Sequence, residues 1–431
     1  MKKLLRVAIA LLCACPALAS AADPPQTDDG PATVHDIEFS NYDADFSPGE
    51  ATTTTPTELD EIYGPNKGML DSYGLNRPID LLINPLDDLY EKTGLRLGVA
   101  YTQLYLQSMG GQAGGTALGG GDIDFMSSWT LIGRGGEDTG RLVFTGEYRF
   151  GFGDSPPSAL GGRMGTLIPP TNTFNDREWV IRDAYWVQRL FEGRVRILIG
   201  RADPSDYVGA YWLQNVNNSF VNRHFSANPA VPFPGHGPMV GISVRPTPDY
   251  YITGGTANAY SNTEFVEIDS IFEYWNFFSF VEAGYTPTFE KLGPGRYSGG
   301  FWYMSPRDRT NQPQDYGFTL IADQRLGENL QAFARYAYTD GALTNIRQLA
   351  QGGIGYSGLF GREDDLTGLA FSLAVPVRDT SRNEAVMETF HRLQVTRNSQ
   401  VSVGVQLIAT PSNAAIYEAA GVFYARVRVS F

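Results

Sequence analysis

Apolar and polar residues alternate with a period of two along most of the chain after residue 94. The first segment with this pattern has apolar residues at Leu95, Leu97, Val99 and Tyr101, and the last has them at Phe423, Ala425, Val427, Val429 and Phe431. In a β-strand this period places one set of side chains on each face. The pattern therefore predicts an all-β fold over residues 95–431.

The connections between these segments alternate between short polar turns and long loops rich in Gly, Pro and Asn. Seven short connections, such as 134–139 and 326–329, and eight long ones, such as 152–176 and 203–237, separate sixteen predicted strands. The alternation of side chains alone would also suit a soluble sandwich. An even number of strands with short and long connections in succession is typical of a transmembrane antiparallel β-barrel. Sixteen strands enclose a lumen too wide for side chains to fill, so we expect an aqueous channel.

The first 21 residues have the features of an export signal. Three basic residues precede a short apolar run, and Ala19–Ala21 supplies the small residues of a cleavage site. Both cysteines of the chain, Cys13 and Cys15, lie in this predicted signal peptide, so we expect neither disulfides nor thiolate chemistry in the mature chain. Cleavage before a lipidated cysteine is the alternative.

The segment between the signal and the barrel divides into an acidic tail over residues 22–75 and a helix. Residues 22–62 hold eleven acidic residues and no lysine or arginine, which predicts a solvated, disordered segment. A solubilising linker and a specific docking segment both stay open for it. Residues 76–94 have apolar side chains at near-helical spacing, which predicts a short amphipathic helix, interrupted or started by Pro85 and ended by Gly94.

Composition and charge exclude several classes of protein. The formal net charge is −14, with 33 Lys and Arg against 47 Asp and Glu, whereas a protein that binds nucleic acid normally carries an excess of basic residues. Beyond the N-terminus no apolar run approaches the roughly 20 residues of a spanning helix. An aromatic content of 13% is too high for a disordered chain.

Several segments resemble one family when they are taken in order. They are Gly140–Gly151, Ile199–Asp203, Phe220–Ala230, Pro234–Gly235, Glu384–Thr396, Gln406–Pro411 and the closing strand that ends at Phe431. Their order and spacing resemble the carbohydrate-selective porin family of Gram-negative outer membranes, the OprB type, over nearly all of residues 76–431. The resemblance implies a sixteen-stranded pore, walled by one chain, that passes sugars by diffusion and is narrowed by inward-folded loops.

The same assignment implies a location and a set of partners. We expect the chain in the outer membrane of a Gram-negative bacterium, in contact with membrane lipid and lipopolysaccharide. The C-terminal strand, with Phe423 and Phe431 as interfacial aromatic residues, is expected to engage the barrel-assembly machinery. A homotrimer and a monomer both stay open.

Charged residues that alternate with the apolar set are candidates for the sugar pathway. By parity, the following should face the lumen: Arg96, Asp124, Glu147, Arg149, Arg196, Glu282, Arg335, Glu384, Glu388, Arg392, Arg426 and Arg428. A guanidinium group can bond neighbouring hydroxyls through two donors. Because the first and last strands of a barrel are neighbours, Arg96, Arg426 and Arg428 should form a basic patch that faces acidic residues across the lumen. The alternative is that these residues form ion pairs in the wall, far from the constriction.

Loop 203–237 is the best candidate for the inward-folded constriction loop. It is long and rich in aromatic and amide side chains, of which Trp212, Asn222 and Phe225 are predicted to line the sugar pathway. Aromatic faces stack on the apolar surface of a sugar ring, and amides bond its hydroxyls. The alternative is that these residues pack the loop against the barrel wall.

Enzymatic chemistry finds little support in the sequence. The four histidines lack metal-ligand spacing and no G-x-S-x-G motif is present, so we predict no catalytic residue, metal or cofactor. A porin for another small polar or anionic solute is the main alternative to a sugar channel. A barrel enzyme, for instance one that uses His391 on the outer face, and an adhesin are alternatives of a different class.

Overall fold

A computed structural model describes residues 46–64, 66–71, 77–414 and 416–431. The predicted signal peptide and the first part of the acidic tail, up to residue 45, lie outside these residues. Within the described part of the chain, no helix is both long enough and apolar enough to cross a membrane.

Sixteen long strands form one closed antiparallel barrel in the described residues. The long strands are β1 (Leu95–Met109), β2 (Ala117–Ile132), β3 (Gly140–Phe152), β4 (Glu178–Leu190), β5 (Val195–Ala202), β6 (Gly237–Thr247), β7 (Tyr250–Asn258), β8 (Phe277–Tyr285), β10 (Gly293–Met304), β11 (Asp315–Leu326), β12 (Leu330–Thr339), β13 (Ile346–Ser357), β14 (Leu366–Pro376), β15 (Glu384–Thr396), β16 (Ser399–Ala409) and β17 (Ala419–Ser430). A further strand of two residues, β9 (Thr288–Phe289), pairs with the start of β10. Strand β8 pairs with β10, and β1 pairs with both β2 and β17, which closes the barrel. The predicted sixteen-stranded barrel is confirmed.

Exposure alternates along the strands with the period seen in the sequence. On β17, Val427 is 41% exposed, whereas Arg426 and Arg428 are buried. On β2, Phe125 is 40% exposed and its neighbour Asp124 is buried. A continuous apolar outer surface is unfavourable in water and is the surface that a lipid bilayer requires. The apolar set therefore faces lipid, and the polar set faces the lumen.

Five short α-helices accompany the barrel in the described residues. They are α1 (Thr55–Tyr63), α2 (Arg77–Thr93), α3 (Leu160–Met164), α4 (Arg223–Ser226) and α5 (Asp269–Tyr274). Helix α2 corresponds to the helix predicted over 76–94, but it runs through Pro85 without starting or breaking there. It ends as predicted at Gly94, whose φ of 75° places it in the left-handed region and whose N–H bonds the carbonyl of Tyr90.

The described part of the acidic segment differs from the disordered tail that was predicted. Its residues 46–64 are folded inside the barrel, with Phe46, Ala51 and Leu59 buried. Leu59 and Ile62 of α1 pack against Ala100 and Met126 of the wall.

The physical reason is that this segment finds its partners in the barrel wall. Its carboxylates pair with wall arginines, as Glu58 does with Arg428 and Asp60 with Arg96. The prediction of disorder used only the charge and hydrophobicity of residues 22–62, and these partners lie outside that segment.

The connection between β5 and β6, residues 203–236, lies inside the barrel, and we call it the lumen loop. Most of its side chains are buried, and Tyr211, Phe220 and Phe225 share one apolar cluster with inward-facing Phe333 and Phe390. The Tyr211 ring stacks on Phe333 with centroids 4.2 Å apart. The loop folds inward, as predicted for a constriction loop.

Candidate functional site

The inner face of the barrel and several inward-lying segments enclose a polar cavity of about 630 Å³, which we call the lumen cavity. Strands β2, β3 and β4 supply its wall. The rest of its lining comes from Thr53, Thr55 and Glu58 of the N-terminal segment, from the β3–β4 connection, from the lumen loop and from residues 261–263. Segments far apart in sequence therefore meet around one space.

The wall of the lumen cavity carries closely spaced charges on β2 and β3. In the strand pairing, Asp122 lies opposite Arg149 and Asp124 lies opposite Glu147. Arg149 donates a hydrogen bond to Glu147, and its Nε lies 4.0 Å from the Oδ1 of Asp122. Because residues two apart in a strand share a face, all four side chains point into the barrel.

A β-bulge in β4 brings one further arginine into the lumen cavity. Thr145 pairs with Asp183 and Gly146 pairs with Ile181, which leaves Arg182 without a partner in the ladder. The extra residue shifts the alternation, so the neighbours Arg182 and Asp183 both turn inward. Counting by parity cannot place Arg182, and the signal that could have found it is the charged pair Arg182–Asp183 inside an alternating segment.

Arg182 connects three segments that surround the lumen cavity. It donates to the backbone oxygen of Thr53 at 2.6 Å and to the carboxylate of Asp206 in the lumen loop. Its Nε lies 3.7 Å from the Oε1 of Glu147. Burial raises the pKa of Asp206 well above its usual range, although the positive charge of Arg182 opposes this change.

The lumen-loop side of the cavity adds a second charged pair. Asp203 accepts a hydrogen bond from the N–H of Ser205 at 2.9 Å and lies 3.2 Å from the Nε2 of His236. Burial opposes ionisation of Asp203, but His236 and the hydrogen bonds outweigh it and hold the pKa of Asp203 below its usual range.

Both signs of charge are therefore present around the lumen cavity, together with neutral polar groups. Among the described residues, its lining has six carboxylates (Glu58, Asp122, Asp124, Glu147, Asp203 and Asp206), four arginines (Arg149, Arg177, Arg182 and Arg223) and His236. Amides also line it: Asn172, Asn175, Gln214, Asn217, Asn228 and Asn262. Such a surface offers hydrogen-bond donors and acceptors together, which suits a neutral solute with many hydroxyl groups.

Comparison with known proteins identifies the family. The model of the carbohydrate-selective porin, OprB family, matches residues 130–431. The chain belongs to this family.

Two relatives and one solved structure extend this finding. Porin AaxA of Chlamydia abortus is 24% identical over 269 residues, which are 60% of this chain and 59% of that protein. Porin AaxA of Chlamydia muridarum is 24% identical over 216 residues, 49% of this chain and 46% of that protein. This porin thus spans about half the length of the relatives it matches. Pseudomonas putida OprB, in a high-pH structure, shares the fold with a TM-score of 0.67 at 16% identity, over 80% of this chain and 96% of that one.

Three of the residues predicted for the sugar pathway line the lumen cavity of this porin. They are Asp124, Glu147 and Arg149, all on β2 and β3. Besides Arg182, the prediction missed Asp122 on the same wall and the contribution of Thr53, Thr55 and Glu58. Their part in passing a solute stays a prediction.

Five of the other predicted residues, all on the barrel wall, bond the backbone of the inward-lying loops. Glu388 accepts the N–H groups of Val221 at 2.7 Å and Asn222 at 2.9 Å. Two arginines donate to backbone oxygens: Arg335 Nη1 to that of Gly209 at 2.9 Å, and Arg392 Nη1 to that of Asn218 at 3.4 Å. Two glutamates accept backbone N–H groups: Glu282 that of Gly209 at 3.3 Å, and Glu384 that of Leu167 at 2.7 Å. These side chains position the loops that bound the cavity, a role that the parity argument did not foresee.

The basic patch predicted from Arg96, Arg426 and Arg428 does not form as one surface. Arg96 bonds Asp60, Arg428 bonds Glu58 at 3.1 Å, and Arg426 donates to the Ser219 oxygen at 2.9 Å. Each guanidinium has a separate acidic or carbonyl partner, because the N-terminal segment and the lumen loop occupy the space in front of these strands. Arg196, on β5, donates to the Gly193 oxygen of the adjacent turn at 3.3 Å.

The three residues predicted on the lumen loop serve its own packing in this structure. Phe225 is buried against Phe220, and Trp212 is buried with the Arg296 guanidinium 5.7 Å from its ring. The Asn222 side chain accepts from the His224 N–H at 3.0 Å and so caps α4. None of the three lines the lumen cavity, which agrees with the packing alternative.

Proposed function

We propose that this porin is a passive outer-membrane channel for carbohydrates, of the size of monosaccharides or small oligosaccharides, into the periplasm of a Gram-negative bacterium. The observation that carries the proposal is the lining of the lumen cavity, where carboxylates, guanidiniums and amides lie side by side. The family of the chain supports it. The apolar outer face is proposed to contact membrane lipid and lipopolysaccharide, and β17 to engage the barrel-assembly machinery.

A mixed lining distinguishes a sugar pathway from an ion filter. A pore built for one sign of ion presents a dominant ring of the opposite charge at its narrowest point. In the lumen cavity Arg149 and Arg182 lie among the carboxylates, so a neutral hydroxyl finds donors and acceptors within one layer. The excess of carboxylates over arginines counts against an anionic solute, which these groups would repel.

Passive diffusion also limits how tightly the sugar is held. A solute that binds strongly would not leave the channel, so binding must be weak. We therefore expect an apparent dissociation constant in the millimolar range, which corresponds to about −4 kcal/mol at 1 mM.

Sugar-dependent block of ionic current tests the proposal. Purified porin in planar bilayers should lose conductance as a monosaccharide is titrated in, with half of the effect at millimolar concentration. Replacing both Arg149 and Arg182 by Gln exchanges two guanidinium groups for neutral amides, which have fewer N–H donors, and should weaken the block. A current that no sugar reduces, combined with block by a small charged solute, would assign the channel to another substrate.

A further inference from the structure

Three acidic side chains on the wall of the lumen cavity come unusually close together. One carboxylate oxygen each from Asp122, Asp124 and Glu147 lies within 4.8 Å of the others. All three residues are buried, with exposed fractions of 1%, 4% and 3%. Like charges in direct opposition across two strands, as Asp124 and Glu147 are, destabilise a sheet unless something compensates them.

The arginines around this carboxylate trio bond either Glu147 or acidic groups outside the trio, and not the two aspartates. Arg149 bonds Glu147, Arg182 bonds Asp206, and Arg428 bonds Glu58. Among the described residues, the arginine contacts of Asp122 and Asp124 are longer, at 4.0 Å to Arg149 and at 3.9 Å to Arg428. The Oδ2 atom of nearby Asp183 lies 4.0 Å from the Nε of Arg182 and accepts a hydrogen bond from the hydroxyl of Thr55. Two aspartates thus remain in the trio without a guanidinium at hydrogen-bonding distance.

The hydrogen bonding of these aspartates is incomplete as well. Within the described part of the chain, neither the Oδ1 of Asp122 nor the Oδ2 of Asp124 has a hydrogen-bond partner. A buried carboxylate oxygen without a donor is costly, and its usual partners are a donor or a metal ion. Both atoms belong to side chains that line the lumen cavity.

We propose that Asp122, Asp124 and Glu147 bind a divalent cation, with Ca²⁺ as the preferred ion. The donors are all carboxylate oxygens, which hard cations favour. Ca²⁺ holds its oxygen ligands at about 2.3–2.6 Å, so that ligands on opposite sides lie about 5 Å apart, close to the spacing of this trio. The two positive charges of the ion balance Asp122 and Asp124.

A bound cation would have a definite place in this porin. It would cross-link the inner faces of β2 and β3 and lower the negative charge of the lumen cavity. The inference goes beyond the proposed passage of sugars and does not depend on which solute the channel carries.

Calorimetric titration of CaCl₂ into the purified, chelator-treated full chain in detergent tests the site. We expect one Ca²⁺ per chain, with affinity at least tenfold weaker after the double substitution Asp122→Asn and Asp124→Asn. The matched control, Asp154→Asn with Asp379→Asn, removes the same charge from exposed positions and should bind Ca²⁺ like the parent. Absence of binding to the parent protein at about 10 mM Ca²⁺, or unchanged binding to the first double variant, would overturn the inference.

A second measurement does not require any variant to fold. Crystals of the parent protein soaked in Mn²⁺ should give an anomalous-scattering peak between the three carboxylates. A peak only at surface positions would contradict the site.

Discussion

Single charged side chains of the barrel wall hold distant backbone groups of the lumen loop in place. Glu388 is fully buried and, besides the N–H groups of Val221 and Asn222, accepts the hydroxyl of Tyr424 at 2.8 Å. Three donors on one carboxylate make a strong anchor, because each donor would otherwise be buried without a partner.

Replacing Glu388 by Ala should therefore loosen the lumen loop. The change leaves these donors unpaired, at a cost of about 1–3 kcal/mol for each. We expect amide hydrogen exchange over residues 219–226 to be faster by about tenfold or more, since about 1.4 kcal/mol is a factor of ten. The exposed Glu290→Ala is the control and should exchange like the parent. Equal protection in Glu388→Ala and parent would mean that apolar packing alone fixes the loop.

At this scale the sequence predicts side-chain direction better than side-chain role. Parity placed Asp124, Glu147 and Arg149 on the inner face, because a strand fixes that direction locally. It missed Arg182, because a bulge is set by the pairing with β3 and not by β4 alone. It could not show that Glu388 binds a loop, because the partner lies more than 160 residues away.

The outward-facing residues of the strands are mostly apolar because they face the lipid of the membrane. Val403 lies in the middle of β16, faces outward and pairs with His391 and Ala425. A lipid-facing position near the centre of a strand tolerates apolar side chains of different sizes but not a charge.

The substitution Val403→Arg should impair insertion into lipid. An arginine near the bilayer midplane costs about 2–4 kcal/mol, whereas Val403→Leu keeps an apolar surface. Folding into vesicles, followed by the mobility shift of unboiled protein on electrophoresis, should show a lower folded fraction for the arginine variant alone. Equal folding of both variants would mean that Val403 does not face lipid.

The N-terminal segment behaves as an element of the pore and not as a free tail. Thr53, Thr55 and Glu58 line the lumen cavity, and the Thr53 hydroxyl donates to Asp206 at 2.8 Å. The sequence could not reveal this placement, because the segment is stabilised by contacts with the wall and lumen loop and not by a strong pattern of its own. The strands could be predicted, because their alternation is repeated in every segment.

Deleting residues 46–63 should widen the channel without preventing barrel formation. The sixteen strands pair with one another and not with this segment, so the folded form should still shift on boiling. Single-channel conductance should rise, because the deletion opens one side of the lumen cavity. A deletion of equal length over residues 24–41 is the control. Unchanged conductance in the first variant would show that the segment does not border the ion path.

At the scale of the whole molecule, barrel closure and loop placement together determine the field inside the pore. Closure brings β1 beside β17, and the N–H of Phe431 bonds the Val99 oxygen at 2.9 Å. The lumen loop and the N-terminal segment then bring their own charges against the wall. The lumen cavity is lined by two more carboxylates than arginines, although the formal charge of −14 is spread over the whole chain.

This excess predicts a weak preference for cations that salt removes. A unit charge about 8 Å from an ion in water contributes about 0.5 kcal/mol, roughly a twofold change in local concentration. The Debye length falls from about 10 Å at 0.1 M salt to about 3 Å at 1 M, so the preference should disappear at the higher concentration.

Reversal potentials in KCl gradients, with a chelator on both sides, measure this preference for cations. Replacing Asp203, whose pKa is held below its usual range, by Asn should weaken the preference at low salt, while the exposed Asp154→Asn should leave it unchanged. Anion preference in the parent channel would show that charges outside the lumen cavity control ion passage.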